Sequence, residues 1–152
     1  MIIAISANSS WNLFNFRKNI LLNFEKKYNC TFLILCPENM YLEKIDLKKI
    51  IFKKIYLKSR SVSLFSDLII LYQYLYFFLK YKPCLYVPFT IKPNLYGSIF
   101  SNFLSIKTIN NFTGLGTLFY INPFFVKILN NFLKICLYKS NFIFFHNKEN
   151  IN

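Results

Sequence analysis

Two hydrophobic periods alternate along this chain. Short, strand-like runs recur at Ile2 to Ala7, Thr31 to Cys36, Phe52 to Leu57, Leu85 to Phe89, Lys107 to Asn111 and Phe142 to Phe145, most of them apolar. Each reads as a buried strand. Between them the apolar residues fall three and four apart, the mark of helices with one buried stripe. The first helix is predicted from Trp11 to Tyr28, with Leu13, Phe16, Ile20, Phe24 and Tyr28 inward. A short one follows at Tyr41 to Lys49, with Leu42 and Ile45 inward. Ser63 caps a third, which buries Leu64, Leu68, Leu71, Leu75 and Phe78 and ends at Pro83. A fourth runs from Leu95 to Leu104. Asn122-Pro123 opens a fifth, with Val126, Leu129, Leu133 and Leu137 inward. Lysines flank the third strand and mark it as an edge. Regular alternation of strand and helix predicts a mainly parallel, six-stranded sheet with right-handed crossovers. The expected fold is a Rossmann-like, three-layer α/β sandwich.

Against this greasy background one stretch is polar and small. It holds Thr90, Lys92, Asn94 and Tyr96 after the fourth strand, and Asn110, Asn111, Thr113, Gly114 and Gly116 after the fifth. Exit loops of a parallel sheet gather at its carboxyl edge, where ligands bind. The two loops are expected side by side there, with the Asn8 loop opposite.

Length and charge narrow the classes. The 152 residues make one domain with room for a core. The formal net charge is +13, and aromatic residues make up 20% of the chain. Such a basic balance suits anionic lipid, nucleic acid or phosphorylated substrates, and it also suits plain solubility. Lys44, Lys48, Lys49, Lys53, Lys54, Lys58 and Arg60 face Asp46 alone, which makes that segment either a solvated edge or a membrane-surface or phosphate patch. No nucleic-acid motif accompanies the charge, and the periodicity places the aromatics inside, so no nucleic-acid partner is expected. Cys30, Cys36, Cys84 and Cys136 lack metal spacing and read as buried free thiols. The opening residues lack the basic region of a signal peptide. Leu64 to Phe78 is interrupted by Asp67 and Gln73 and falls short of the roughly 20 apolar residues of a membrane span.

The polar residues favour recognition over reaction. The first strand exits into Asn8-Ser9-Ser10 without the glycines of a dinucleotide loop. No Asp-x-Asp pair is available for a divalent metal, and Glu38 is the only acid near the ligand edge. His146 lacks a triad. No cofactor and no metal are expected. Asn8, Ser9, Asn94, Asn111 and Thr113 can exchange hydrogen bonds with the hydroxyls of a ligand. Lys92 and Arg17 can pair with phosphate, and Trp11 or Tyr96 can stack on a ligand ring. Structural readings stand beside these: Ser9 or Ser10 as helix cap, Asn94 as cap, Trp11 as hydrophobic staple, Arg17 as surface residue. Gly114 and Gly116 fit either close backbone approach to an anion or a simple turn.

The same residues carry a resemblance. Phe89-Thr90-Ile91-Lys92-Pro93-Asn94-Leu95-Tyr96-Gly97, followed by Ile109-Asn110-Asn111-Phe112-Thr113-Gly114-Leu115-Gly116, resembles the amino-terminal half of family 4 glycosyltransferases, in the bacterial branch that builds surface polysaccharides. Asn8-Ser9-Ser10-Trp11 and Asn15-Phe16-Arg17 fit the same family, as does Phe144-Phe145-His146-Asn147, where Gln is commoner than His. The resemblance implies that residues 1–152 form the acceptor-side domain of a two-Rossmann-domain enzyme, with the carboxyl-terminal donor-binding domain absent. It implies Asn8, Ser9, Ser10, Trp11, Arg17, Thr90, Lys92, Asn94, Tyr96, Asn111, Thr113, Gly114 and Gly116 as acceptor-binding. The implied partners are a nucleotide-sugar donor held by the missing domain, a lipid-linked sugar acceptor, an anionic membrane surface, and a separate donor-domain polypeptide if the gene is split. The implied location is cytoplasmic, peripheral on the inner face of the membrane. The chain by itself is then an inactive half; the competing expectation is a truncated, non-catalytic membrane-surface or interaction protein.

Overall fold

A computed structural model describes residues 1–57, 64–112, 131, 133–134 and 137–145. Six strands, β1 (Ile2–Ser6), β2 (Thr31–Cys36), β3 (Ile50–Lys54), β4 (Leu85–Pro88), β5 (Lys107–Phe112) and β6 (Phe142–Phe145), form one sheet in the order β3-β2-β1-β4-β5-β6. Every neighbouring pair is parallel. β3 is an edge, as its lysines required. The chain winds one way from β1 to β3 and then the other way from β4 to β6. The reversal falls between β1 and β4, the switch point at which an α/β sheet opens a crevice.

Helices cover both faces. α1 (Ser10–Tyr28) packs Leu13 and Leu21 on Ile3, Ile5, Phe32 and Ile34. α2 (Leu64–Tyr81) and α3 (Ser98–Phe103) cover the opposite face, over Ala4, Leu33, Leu35 and Tyr86. The fold is therefore the Rossmann-like α/β sandwich that the pattern predicted.

The helices are rotated from their expected stripes. In α1 the buried positions are Ser10, Leu13, Arg17 and Leu21, while Phe16 is 58% exposed and Ile20 and Tyr28 also face out. α1 is apolar on more than one side, so spacing did not choose its face. The anchoring of Ser10, described below, sets where the first turn points. In α2 the inward positions are Ile70, Tyr74 and Phe78, and Leu68 is 63% exposed. Tyr74 wins the interior because its hydroxyl meets the Ser6 hydroxyl at 2.6 Å and its ring packs edge-on against Tyr86. A buried phenol keeps its place only with such a partner.

Smaller differences have local causes. The helix expected at Tyr41 to Lys49 is a single 3-10 turn, Glu43–Ile45, closed by Asp46 in the left-handed region at φ 59°. Leu42 and Ile45 are buried as expected. β3 starts two residues early because the Lys48 and Lys49 amides donate to Glu25 and direct the chain into the sheet. The fourth helix begins earlier, as a π-helical turn at Pro93–Gly97 that runs into α3. Cys30 and Cys36 are buried, but Cys84 is exposed, since it lies in the turn just before β4. Burial and the Glu38 carboxylate push the Cys36 thiol up to about 12. The aromatics are not all inside: Trp11, Phe65, Tyr72, Phe103 and Phe142 are exposed. Among the described residues no helix is long and apolar enough to cross a membrane. Ser63, Asn122-Pro123, Val126, Leu129 and Cys136 lie outside the described residues, and Leu133 and Leu137 are half-buried.

Candidate functional site

Strand register builds the carboxyl edge. Ser6 pairs with Pro88, and the Phe89 amide donates to the Ser6 carbonyl at 2.7 Å. Phe89 bridges in turn to Asn111. The exits of β1, β4 and β5 are therefore consecutive neighbours, and the Asn8 loop adjoins the Thr90 loop instead of lying opposite it. Two polar clusters result, and their hydrogen-bond accounts differ.

The cluster between β4 and β5 is closed. Asn94 is fully buried. Its amide nitrogen donates to the Thr90 carbonyl at 2.7 Å and the Asn111 carbonyl at 2.8 Å. Its Oδ1 accepts from Asn110 Nδ2 at 2.9 Å. Asn110 Nδ2 also donates to Ser98 Oγ, and Asn110 Oδ1 accepts from Ser140 Oγ at 2.6 Å. These side chains tie α3 and β6 to β5. The Tyr86 hydroxyl adds a bond to the Pro93 carbonyl at 2.9 Å. Gly97 permits that ring to lie so close, because a Cβ there would sit 2.0 Å from the Tyr86 hydroxyl oxygen.

The start of α1 is held by a carboxylate of the chain itself. Ser9 Oγ accepts from the Asn12 amide at 3.2 Å and caps the helix. Glu38, in the β2 exit, accepts from the Ser10 amide at 2.6 Å, from the Ser10 hydroxyl and from the Met40 amide at 2.9 Å. Burial raises the Glu38 pKa, but hydrogen bonds from the Ser10 hydroxyl and from backbone amides outweigh that and hold it below the usual carboxylate range. An anion thus already occupies the positive end of the α1 dipole. Ser9 and Ser10 are spent on helix geometry.

Between β1 and β4 the account is open. Asn8 Oδ1, Asn12 Oδ1, Thr90 Oγ1 and Arg17 Nε are buried without a hydrogen-bond partner among the described residues. Most buried polar atoms in folded proteins are paired, and each orphan calls for an explanation. Thr90 also stands at φ 86°, a strained region for a β-branched residue. Arg17 is 7% exposed, and its guanidinium carbon lies 4.7 Å from the centre of the Phe89 ring. Burial lowers its pKa. It borders a cavity of about 430 Å³ beside β5 and β6, which Asn111 and Phe144 also line. Three oxygens here can accept hydroxyl protons, and Arg17 can donate to an anion. Glu38 is committed to α1, and Asp67 is paired with Lys92.

The remaining candidates lie elsewhere. Lys92 pairs with Asp67 at 3.2 Å. Tyr96 packs against the core under α2 and α3, turned from the β1–β4 crevice. Trp11 is exposed and meets Phe16 edge-on. Asn111 donates to the Ile109 carbonyl while facing the cavity. Thr113, Gly114, Gly116 and His146 lie outside the described residues. Sequence reasoning did not single out Asn12 or Phe89. The signal for Asn12 was its place in the first helical turn beside the Asn8 loop; for Phe89 it was the end of the fourth apolar run. Among the described residues no group of His, Cys, Asp and Glu could hold a metal ion.

No family model matches the sequence, and no curated protein sequence does. Solved structures match the fold. UDP-GlcNAc 2-epimerase from Neisseria meningitidis bound to UDP-GlcNAc superposes with a TM-score of 0.68 at 12% identity, over 98% of this chain and 41% of that one. A glycosyltransferase from Rickettsia africae gives a TM-score of 0.60 at 16% identity, over 95% of this chain and 42% of its own. The lipopolysaccharide outer core galactosyltransferase WaaB gives 0.51 at 16% identity, over 74% and 32%. The fold is that shared by GT-B-type glycosyltransferases and these epimerases. The chain spans about two-fifths of the length of the epimerase and of the Rickettsia protein.

Proposed function

We propose that this chain is the acceptor-binding half of a family 4 glycosyltransferase. Its partner half would hold the nucleotide sugar, and the acceptor would be a lipid-linked saccharide of surface-polysaccharide synthesis, such as capsule or O-antigen. The observation that carries the reading is the set of unpaired buried oxygens of Asn8, Asn12 and Thr90 at the switch point, on a fold shared with glycosyltransferases. Sugar hydroxyls are the donors such acceptors lack. In this reading the catalytic groups and the donor site belong to the donor-binding half.

The test is co-expression with a donor half, followed by transfer of label from a nucleotide sugar to a lipid extract. Transfer that requires both halves, and falls when Asn8→Ala is introduced, supports the reading. Consumption of the nucleotide sugar without any acceptor would point to epimerase chemistry instead.

A specific surface favours peripheral attachment on the inner membrane face. α2 presents Phe65, Leu68, Tyr72, Tyr76 and Leu79 outward. Lys80 lies over the rings of Tyr76 and Tyr81, and Lys53 over Tyr81. An apolar and aromatic stripe bordered by lysines suits an anionic lipid surface. Salt-sensitive pelleting with anionic vesicles, lost in Phe65→Ser/Tyr72→Ser, is the expected result. Pelleting without any glycosyl transfer would favour the second reading, a non-catalytic membrane-surface protein.

A further inference from the structure

We infer that the cavity between α1 and the β5–β6 edge is a binding site for an amphiphilic anion, an apolar body ending in a phosphate or carboxylate, with Arg17 as the charged contact. Three observations meet there. Arg17 is 7% exposed, its Nε is buried and unpaired, and the one ion pair among the described residues is Lys92 with Asp67. A buried guanidinium N–H without a partner is costly, and a bound anion would satisfy it. Second, the guanidinium is fixed. Phe89 lies against it, so little side-chain freedom is lost when an anion pairs with it.

Third, the rest of the wall is apolar. Ile20, Phe24, Ile109 and Phe144 line the space, and among the described residues Asn111 is the one other polar side chain there. A volume of about 430 Å³ lies within the roughly 300–1,000 Å³ of small-molecule sites. A bare inorganic anion would leave those walls wet, and a neutral hydrocarbon would leave Arg17 unpaired. Only a ligand with both parts satisfies the cavity. Such a ligand fits whether or not the chain takes part in glycosyl transfer.

The test is calorimetric titration of the 152-residue chain with octyl phosphate, octanoate, octyl glucoside and inorganic phosphate at fixed ionic strength. Octyl phosphate or octanoate should bind about ten-fold or more tighter than octyl glucoside, and the stronger of the two names the head group. Inorganic phosphate should be weaker than octyl phosphate. Arg17→Met should erase the preference for the charged head and leave the melting temperature unchanged or raised, because it removes a buried N–H that has no partner. Phe144→Ser, at an exposed position that spares the fold, should weaken octyl phosphate and leave inorganic phosphate unchanged. Equal binding of octyl glucoside, or an undiminished preference in Arg17→Met, would overturn the proposal. So would inorganic phosphate binding as tightly as octyl phosphate. No donor or transfer assay enters, so this result is separate from the fate of the glycosyltransferase reading.

Discussion

The two polar clusters at the carboxyl edge share residue types and sit one strand apart, yet they differ in what they have left to offer. Between β4 and β5, Asn94, Asn110, Ser98 and Ser140 bond to one another and to backbone carbonyls. Between β1 and β4, Asn8, Asn12 and Thr90 keep buried oxygens unpaired. The first cluster is closed by its own hydrogen bonds, and the second leaves buried oxygens without a partner among the described residues. A polar residue at a strand exit is therefore weak evidence of binding until its hydrogen bonds are counted.

Breaking the closed cluster should have the largest effect. Asn110→Ala orphans Asn94 Oδ1 and Ser98 Oγ in the interior, and it should cost about 2–6 kcal/mol in urea unfolding, at roughly 1–3 per orphaned group. Loss below 0.5 kcal/mol would mean that water replaces those bonds and the cluster is not closed. Gly97→Ala comes next. The new methyl drives the Tyr86 ring from its place beside Pro93, at a cost of about 1–3 kcal/mol. Adding Tyr86→Phe should recover part of that loss, since the hydroxyl oxygen is the nearest clash.

Glu38→Gln should cost about 1 kcal/mol, kept small by solvent around this half-buried group. Its pH dependence has a definite sign. A carboxyl whose folded pKa is depressed stabilises fully above its unfolded value, and that stability is lost as pH falls through the folded pKa. The gap between wild type and Glu38→Gln should therefore be widest at neutral pH and close in acid. A gap that grows in acid would contradict the helix-anchoring role.

The smallest effects belong to the open cluster. Asn8→Ala should change stability by less than about 0.5 kcal/mol, because it removes an acceptor that has no partner to lose. Thr90→Gly relieves a positive φ and should be neutral or stabilising by up to about 1 kcal/mol. Both should still impair transfer in the two-half assay. Strong destabilisation by either would move that residue into the structural cluster and remove the contrast.

The sequence displayed most of the fold and part of the site. Continuous apolar runs mark the buried strands β1, β2 and β4 because buried parallel strands need continuous hydrophobicity, and the lysines around β3 mark the edge; β5, with Lys107, Asn110 and Asn111, and the largely exposed β6 were legible only through the alternation of elements. The Asn8 and Thr90 loops were legible as strand exits. Helix orientation was not legible in α1 or α2, because both are apolar on several sides and spacing cannot rank the faces. Nor could spacing separate Asn94 from Asn8. Both are asparagines in exit loops, and their difference lies in partners 16 or more residues away.

The sequence by itself determined the α/β class, the parallel sheet and the collection of polar loops at one edge, since these follow from local period and from the handedness of crossovers. Tertiary structure decided everything that depends on pairing across the chain. It placed Glu38 on the start of α1, Tyr74 on Ser6, and Arg17 beneath Phe89 beside an apolar cavity. It also decided which buried oxygens were satisfied. Hydrogen bonds and charge pairs form between residues far apart in sequence, so only the folded chain shows which of them are left for a ligand.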